Sequence, residues 1–267
     1  LTDFLQQLDN QPVAIADLIW FRDVLCNWGP SQDQKDSAEC TQRLLNWLQA
    51  SAFDMSWERR LETADGIVIA DHNTAYTPIT LTITRHVHDS GACTLNDLLC
   101  LWSQEHSMRA ALLGAPPCIC LAIDRYYQDE AGNIGRSMCH IGVEREVNLP
   151  VFISNALRWD YTGYIPVAGV AHMGLDMAGH CKALLKLAPT LISATQPAAW
   201  METEDGQAPR PIWQVPTWVS QHSTVIWLVR TDCLQLQTYR HPLRDMTIAP
   251  MNEDEFQTAE QIGRAHV

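Results

Sequence analysis

The segment from Tyr164 to Leu185 constrains the fold of this chain most strongly, because two apolar stretches flank a short turn that contains glycine. The stretches predict two strands, at 164–172 and 180–187. His180 begins the second strand directly after Gly179. A histidine at the start of a strand, beside a glycine that leaves room for the backbone of a substrate, is well placed to act as a general base. The same spacing also fits a histidine that only starts a strand and forms local hydrogen bonds.

Patterns elsewhere predict further strands and helices. Strict alternation from Ile79 to Thr84 predicts a half-buried strand with a threonine face, and the apolar run from Cys118 to Ile123 predicts a fully buried strand. Thr94 and Asp97 form a capping-box pattern. That box opens a helix with an apolar face at Leu95, Leu98, Leu99 and Trp102. Because helices come first and strands dominate afterwards, the chain is predicted to be α+β with a largely antiparallel sheet.

The remaining predicted elements lie on both sides of these segments. One helix is predicted within 13–25, and a second begins near Asp36. Further strands are predicted at 141–149 and 224–230, with a turn at 129–135 and a loop at 208–216. The helix that begins near Asp36 has a predicted buried stripe of Cys40, Leu44, Trp47 and Leu48.

The charge balance and the cysteines restrict the partners. The chain carries 31 acidic and 18 basic residues, a formal net charge of −13, which argues against binding nucleic acid through its phosphates. Its apolar runs are far shorter than the roughly 20 residues that span a bilayer, so no membrane partner is expected. Nine cysteines without a C-x-x-C pair indicate free thiols in the cytoplasm or nucleus and no structural zinc.

Two acidic groups are candidates for site chemistry. Glu204 and Asp205 lie in a predicted turn after Trp200, and either carboxylate could orient a histidine base and stabilise its imidazolium. An ordinary solvated turn explains them equally well. Asp36 and Glu39 fit the capping of a helix start, and the same two acids could also receive a basic substrate segment.

The order of these segments resembles the catalytic domain of the ubiquitin-specific proteases, a papain-like group with fingers, palm and thumb subdomains. The segment from Tyr164 to Leu185 is similar to the family's Y-x-L-x-a-V-v-x-H-x-G-x-x-x-x-G-H-Y box. Trp200-x-x-x-Glu204-Asp205 stands where the family has W-x-x-x-D-D. Weaker matches to the family's Q-Q-D-x-x-E-F, leucine-helix, P-x-x-L-x-i-x-L-x-R-F, v-x-i-P and closing-strand boxes are found at 34–40, 95–102, 117–126, 147–150 and 225–230.

The resemblance implies a thiol hydrolase that cleaves the bond after ubiquitin's terminal glycine through an acyl-enzyme. It implies that His180 is the general base and Glu204 the acid that orients it, with Asp205 supporting or replacing Glu204. The implied partners are ubiquitin or ubiquitinated proteins, with no cofactor and no metal. The alternative is a catalytically inactive ubiquitin-binding module. The residues implied to meet the basic C-terminal tail of ubiquitin are Asp36, Glu39 and Gly179.

The chain also departs from the family. The nucleophile box G-x-x-N-x-G-N-T-C-Y-x-N-S is absent, so the catalytic cysteine is expected upstream, the thumb is expected to be incomplete, and the fragment alone is expected to be inactive. Cys181 replaces an aromatic residue, Glu204 is one methylene longer than the family's aspartate, and the zinc cysteines of the fingers are missing. The expected organisation is a residual thumb-side helix at 1–29, the protease-like domain at 30–232, a C-terminal extension at 233–260 and sequencing-adapter read-through at 261–267.

Overall fold

The computed structural model describes residues 37–104, 107–128, 132–143, 146–154, 157–174, 179–186, 200–204 and 207–235. The helix predicted within 13–25, all but the first three residues of the extension predicted at 233–260, and the site candidates Asp36 and Asp205 lie outside the described residues. Among the helices that are described, none has the length and apolar character needed to cross a membrane.

The described residues form short helices and many strands. The α-helices are α1 (Ser37–Leu48), α2 (Arg85–Ser90), α3 (Leu95–Ser103), α4 (Thr217–His222) and α5 (Thr231–Gln235), and a 3₁₀ turn covers Ser51–Phe53. The strands are β1 (Trp57–Thr63), β2 (Gly66–His72), β3 (Ile79–Thr82), β4 (Ala92–Thr94), β5 (Arg109–Leu112), β6 (Cys118–Asp124), β7 (Tyr126–Gln128), β8 (Ile134–Arg136), β9 (His140–Gly142), β10 (Val147–Phe152), β11 (Trp159–Met173), β12 (His180–Lys186), β13 (Trp200–Glu204), β14 (Arg210–Ile212) and β15 (Ser223–Arg230).

One large sheet organises the described part of the chain. It has 11 strands, eight of them in the order β14-β13-β12-β11-β10-β5-β1-β2, with β15, β6 and β3 joined through β11. Only the β10–β5 and β3–β6 pairs of this sheet are parallel. The predicted α+β fold with a largely antiparallel sheet is therefore confirmed.

Strand β11 connects the two ends of this sheet. Its 15 residues pair with β10 at the start, with β15 along the middle and with β12 at the end. Because one continuous strand carries all three pairings, the position of the β11–β12 hairpin depends on the whole sheet. This hairpin contains His180.

Short-range sequence patterns are reproduced closely. Thr94 and Asp97 form the predicted capping box, with the Thr94 hydroxyl accepting from the Asp97 backbone and the Asp97 carboxylate accepting from the Thr94 backbone. Strand β3 buries Ile79 and Leu81 and exposes the intervening threonine. The predicted apolar face of α3 is buried along its whole length, at Leu95, Leu98, Leu99 and Trp102.

Other predictions require correction. In α1 the fully buried residue is Leu45, whereas Trp47 is 44% exposed, because the helix turns the face around Ala38 and Leu45 toward the core. The strand predicted at 141–149 is divided into β9 and β10, which pair in different sheets. Strand β14 lies within the loop predicted at 208–216.

A buried arginine joins three segments of the chain through hydrogen bonds. Arg125 follows β6 and is 1% exposed. Its guanidinium donates to the carbonyl oxygens of Ser137, Cys139, Ser220 and Ser223 at 2.7–3.4 Å. Burial lowers its pKa to about 10, so the side chain remains charged at neutral pH. The last two of these carbonyls anchor the C-terminal end of α4, where a cation is also favoured by the helix dipole.

Candidate active site

The candidate site lies on neighbouring strands of the large sheet. In the β11–β12 hairpin Met173 is opposite His180, and in the β12–β13 pair Lys182 is opposite Glu204. Alternate residues of a strand point to the same face, so His180 and Lys182 share a face with Glu204. The sheet register therefore brings together residues that are far apart in the sequence.

His180 and Glu204 are in contact. His180 Nε2 lies 3.0 Å from Glu204 Oε1, within the reach of a hydrogen bond between a base and the acid that orients it. The side chain of His180 is 34% exposed and that of Glu204 is 23% exposed, whereas Nε2 itself is buried. The exposed part of the ring thus lies away from the edge that meets the carboxylate.

The second oxygen of Glu204 is bound by a lysine. Lys182 Nζ lies 2.8 Å from Glu204 Oε2. The hydrogen bond from Lys182 lowers the pKa of Glu204, and the neighbouring His180 lowers that pKa further. Glu204 is therefore ionised at neutral pH, with one oxygen toward the imidazole and the other toward the ammonium group.

A second glutamate on β13 is buried beside this pair. Glu202 is 2% exposed, and its Oε2 accepts from Arg210 at 2.6 Å while its Oε1 accepts from Trp218 Nε1 at 3.0 Å. Lys182 Nζ lies 4.0 Å from the same Oε1. Glu204, which was predicted to lie in a turn, instead ends strand β13, because pairing with β12 and β14 holds residues 200–204 in the sheet.

Gly179 is in close contact with β11. A Cβ at this position would overlap His172 Nε2 and would lie 2.7 Å from the backbone oxygen of Met173. The space that the missing side chain leaves is therefore occupied by the chain itself. This packing explains the glycine next to His180 without a substrate.

Replacing Gly179 by alanine should destabilise the protein by about 1–3 kcal/mol, because the added methyl group meets a backbone oxygen that has no rotamer to change. Urea unfolding checks this, with Gly114→Ala as the matched control because a Cβ at Gly114 has no neighbour within 4 Å. Equal losses in the two variants would contradict the packing described here.

The other candidates are not all described. Glu39 lies on α1, and its Oε1 is 2.8 Å from Arg43 in an exposed pair one helical turn apart. Asp36 precedes the described part of α1, and Asp205 follows the end of β13.

The sequence patterns did not predict that Lys182, Glu202 and Trp218 take part in the site. Residues 180 and 182, and likewise residues 202 and 204, are two positions apart and therefore share a face of a strand. This spacing could have indicated the site, but only if residues 200–204 were known to form a strand.

Metal binding has no obvious location in the described ranges. No group of three or more His, Cys, Asp or Glu side chains there is arranged to hold a metal ion.

Comparisons with known proteins identify the fold. No protein-family model and no curated protein matches the sequence. A chain of the SAGA Ubp8/Sgf11/Sus1/Sgf73 DUB module bound to ubiquitin aldehyde matches with a TM-score of 0.55 and 12% identity, over 82% of this chain and 56% of that chain. A chain of the module bound to monoubiquitin matches with a TM-score of 0.52 and 14% identity, over 74% of this chain and 49% of that chain. A chain of the module with a shortened Sgf11 matches with a TM-score of 0.56 and 12% identity, over 83% of this chain and 56% of that chain.

This chain thus spans about half of the length of the solved chains that it matches. The likeness, at this level of identity, concerns the fold. The sheet-dominated α+β architecture with few helices is the papain-like fold of these Ubp8-module chains, as the resemblance in sequence predicted.

Proposed function

We propose that this chain carries the general-base half of a cysteine-type deubiquitinase, which hydrolyses linkages at the C-terminus of ubiquitin. The observation that carries the proposal is the 3.0 Å contact between His180 Nε2 and Glu204 Oε1 at adjacent strand ends. The fold shared with DUB-module chains, two of them in structures bound to ubiquitin aldehyde or monoubiquitin, supports the substrate class.

His180 acts through its second nitrogen. With the Nε2 proton directed to Glu204, the neutral ring keeps its lone pair on Nδ1. Nδ1 takes the proton of the catalytic thiol, and the thiolate attacks the carbonyl carbon after ubiquitin's last glycine. The imidazolium, stabilised by Glu204, then protonates the leaving amine. Water, deprotonated by the same ring, hydrolyses the thioester and regenerates the thiol.

In this proposal the thiol is supplied by sequence outside these 267 residues. No cysteine of the chain lies in the nucleophile box of the family that the chain resembles. Burial raises the pKa of Cys93 to about 12 and also raises the pKa values of Cys118 and Cys120, whereas a nucleophilic thiol needs a lowered pKa. Among the described cysteines, Cys93, Cys100, Cys118, Cys120, Cys139 and Cys233 are free thiols, which supports a reducing compartment such as the cytoplasm or nucleus.

The proposal places the tail of ubiquitin beside α1. Glu39 offers its carboxylate to the basic tail, with Asp36 before it in the sequence, whereas the close packing of Gly179 against β11 leaves no side-chain space there for the tail. The Arg43 partner of Glu39 does not prevent this, because an exposed pair one helical turn apart is worth only about 0.3–0.5 kcal/mol and is readily exchanged.

Binding of ubiquitin tests the tail contact. The chain should bind intact ubiquitin and lose most of that affinity when the last six ubiquitin residues are removed. Glu39→Gln should weaken binding about twofold to fivefold, the effect of one exposed charge pair. Asp89→Asn is the matched control, because Asp89 also lies on a helix and pairs with an exposed arginine, Arg85, at 3.7 Å. Equal binding of intact and shortened ubiquitin would contradict the tail contact.

Hydrolysis separates the enzyme from an inactive binding module. The 267-residue chain should not release the fluorophore from a ubiquitin conjugate, whereas the protein that includes its upstream cysteine box should. Turnover by the chain itself that alkylation abolishes would show a nucleophile within it. Ubiquitin binding without hydrolysis by the longer protein would favour the inactive ubiquitin-binding module, in which Glu204 forms an ion pair with Lys182 and takes no part in catalysis.

A further inference from the structure

Four side chains of alternating charge form a series across three strands, and the series ends at the His180 imidazole. Arg210 contacts Glu202 at 2.6 Å, and Lys182 lies 4.0 Å from Glu202. Lys182 contacts Glu204 at 2.8 Å, and Glu204 contacts His180 at 3.0 Å. The series begins at an exposed arginine and ends at the proposed base.

The series is anchored at Glu202. This carboxylate is buried, and besides Arg210 it accepts from the indole of Trp218 on α4. A buried carboxylate held by several donors cannot move without losing them. Glu202 therefore places a fixed negative charge 4.0 Å from the ammonium group of Lys182, whose side chain is only 18% exposed.

Lys182 in turn determines the direction of the Glu204 carboxylate. A glutamate side chain has three rotatable bonds, so by itself it samples several orientations. Lys182 is directly opposite Glu204 in the strand pair and holds Oε2, which leaves Oε1 directed at His180.

We infer that Lys182 is a positioning residue, which holds the Glu204 carboxylate so that it couples to His180. The inference deepens the function proposed above, because it concerns the same acid–base pair. Lys182 touches neither a substrate nor the reacting atoms; it acts through Glu204. An alternative effect of its charge is simple screening, in which the ammonium group offsets part of the field of Glu204 at His180.

Positioning and screening predict opposite results in a double-mutant cycle. The measured quantity is the fraction of the neutral His180 imidazole with its proton on Nε2, read from the ring ¹⁵N shifts by NMR, in the unsubstituted chain, in the two single variants Lys182→Met and Glu204→Gln, and in the variant that combines them. With Lys182 present, Glu204→Gln should lower this fraction, because the ring loses the carboxylate that orients it. In the Lys182→Met background the same substitution should lower it by less than half as much. A drop that is equal or larger in that background would overturn the inference, since it would mean screening or no role.

The controls exclude other causes. Lys182→Arg keeps a donor opposite Glu204 and should keep the full coupling. Lys182→Leu repeats the cycle if the methionine variant fails to fold. Other groups near His180 among the described residues, namely His172 on β11 and the adjacent Cys181, stay unchanged in all four proteins. Because this measurement needs no catalysis, loss of coupling in the chain together with no ubiquitin hydrolysis by a longer protein that supplies the cysteine would uphold the positioning role while rejecting the proposed function.

Discussion

Replacing Arg125 by methionine should lower the free energy of unfolding by about 3 kcal/mol or more, the largest loss that we expect from a single substitution in this fold. Methionine keeps much of the side-chain volume but removes every donor. The carbonyl oxygens of Ser137, Cys139, Ser220 and Ser223 then remain in the interior without the guanidinium. Each buried acceptor that loses its partner costs about 1–3 kcal/mol. Urea unfolding measures the loss.

The controls for Arg125 separate charge from geometry. Arg43→Met, on the exposed face of α1, should change the free energy of unfolding by less than about 0.5 kcal/mol. Arg125→Lys keeps the charge but cannot reach carbonyl groups on several sides at once, so it should recover only part of the loss. A loss below about 1 kcal/mol for Arg125→Met would show that water replaces the guanidinium.

In a longer protein that supplies the proposed catalytic cysteine, replacing Glu204 by glutamine should lower kcat/KM about 1000-fold or more. The neutral amide cannot stabilise the imidazolium, and it no longer holds the ring in the tautomer with a proton on Nε2. KM should change little, because Glu204 touches His180 and not the substrate. Steady-state hydrolysis of a ubiquitin–fluorophore conjugate measures the effect.

A comparison with the neighbouring acid decides which carboxylate orients the base. Asp205→Asn should lower kcat/KM much less than Glu204→Gln, since Glu204 is the acid at 3.0 Å from Nε2. Asp89→Asn, on α2, should leave the rate unchanged. The reverse order, with Asp205→Asn the more damaging, would transfer the orienting role to Asp205.

Local patterns in the sequence predicted several elements accurately. The capping box at Thr94 and Asp97, the alternation in β3 and the buried run in β6 depend on residues within a few positions of one another. Such patterns act through hydrogen bonds and side-chain periodicity within one element. The start of β12 at His180 was predicted for the same reason.

Sequence patterns did not predict the features that depend on contacts between distant segments. Strands β1, β2 and β13 were not predicted, because the sheet itself stabilises them; every residue of β2 is exposed, so no buried face marks it in the sequence. Trp47 was expected to be buried because the helical period fits it, but the direction in which α1 faces the sheet depends on its contact with β15. The helical period shows which residues share one face of a helix, but it does not show which element that face packs against.

The candidate site likewise has features that the sequence predicted and features that depend on the tertiary structure. The sequence by itself determined that a histidine begins a strand after a glycine and that acids follow at 202, 204 and 205, since these are facts of order and local geometry. Only the tertiary structure decided that Glu204 meets His180, that Lys182 shares the carboxylate and that Glu202 is buried beneath Trp218. The reason is register: a shift of one residue between β12 and β13 would turn Glu204 to the opposite face of the sheet. That register is fixed by the pairing of β12 with β11 and of β13 with β14, which no single segment encodes.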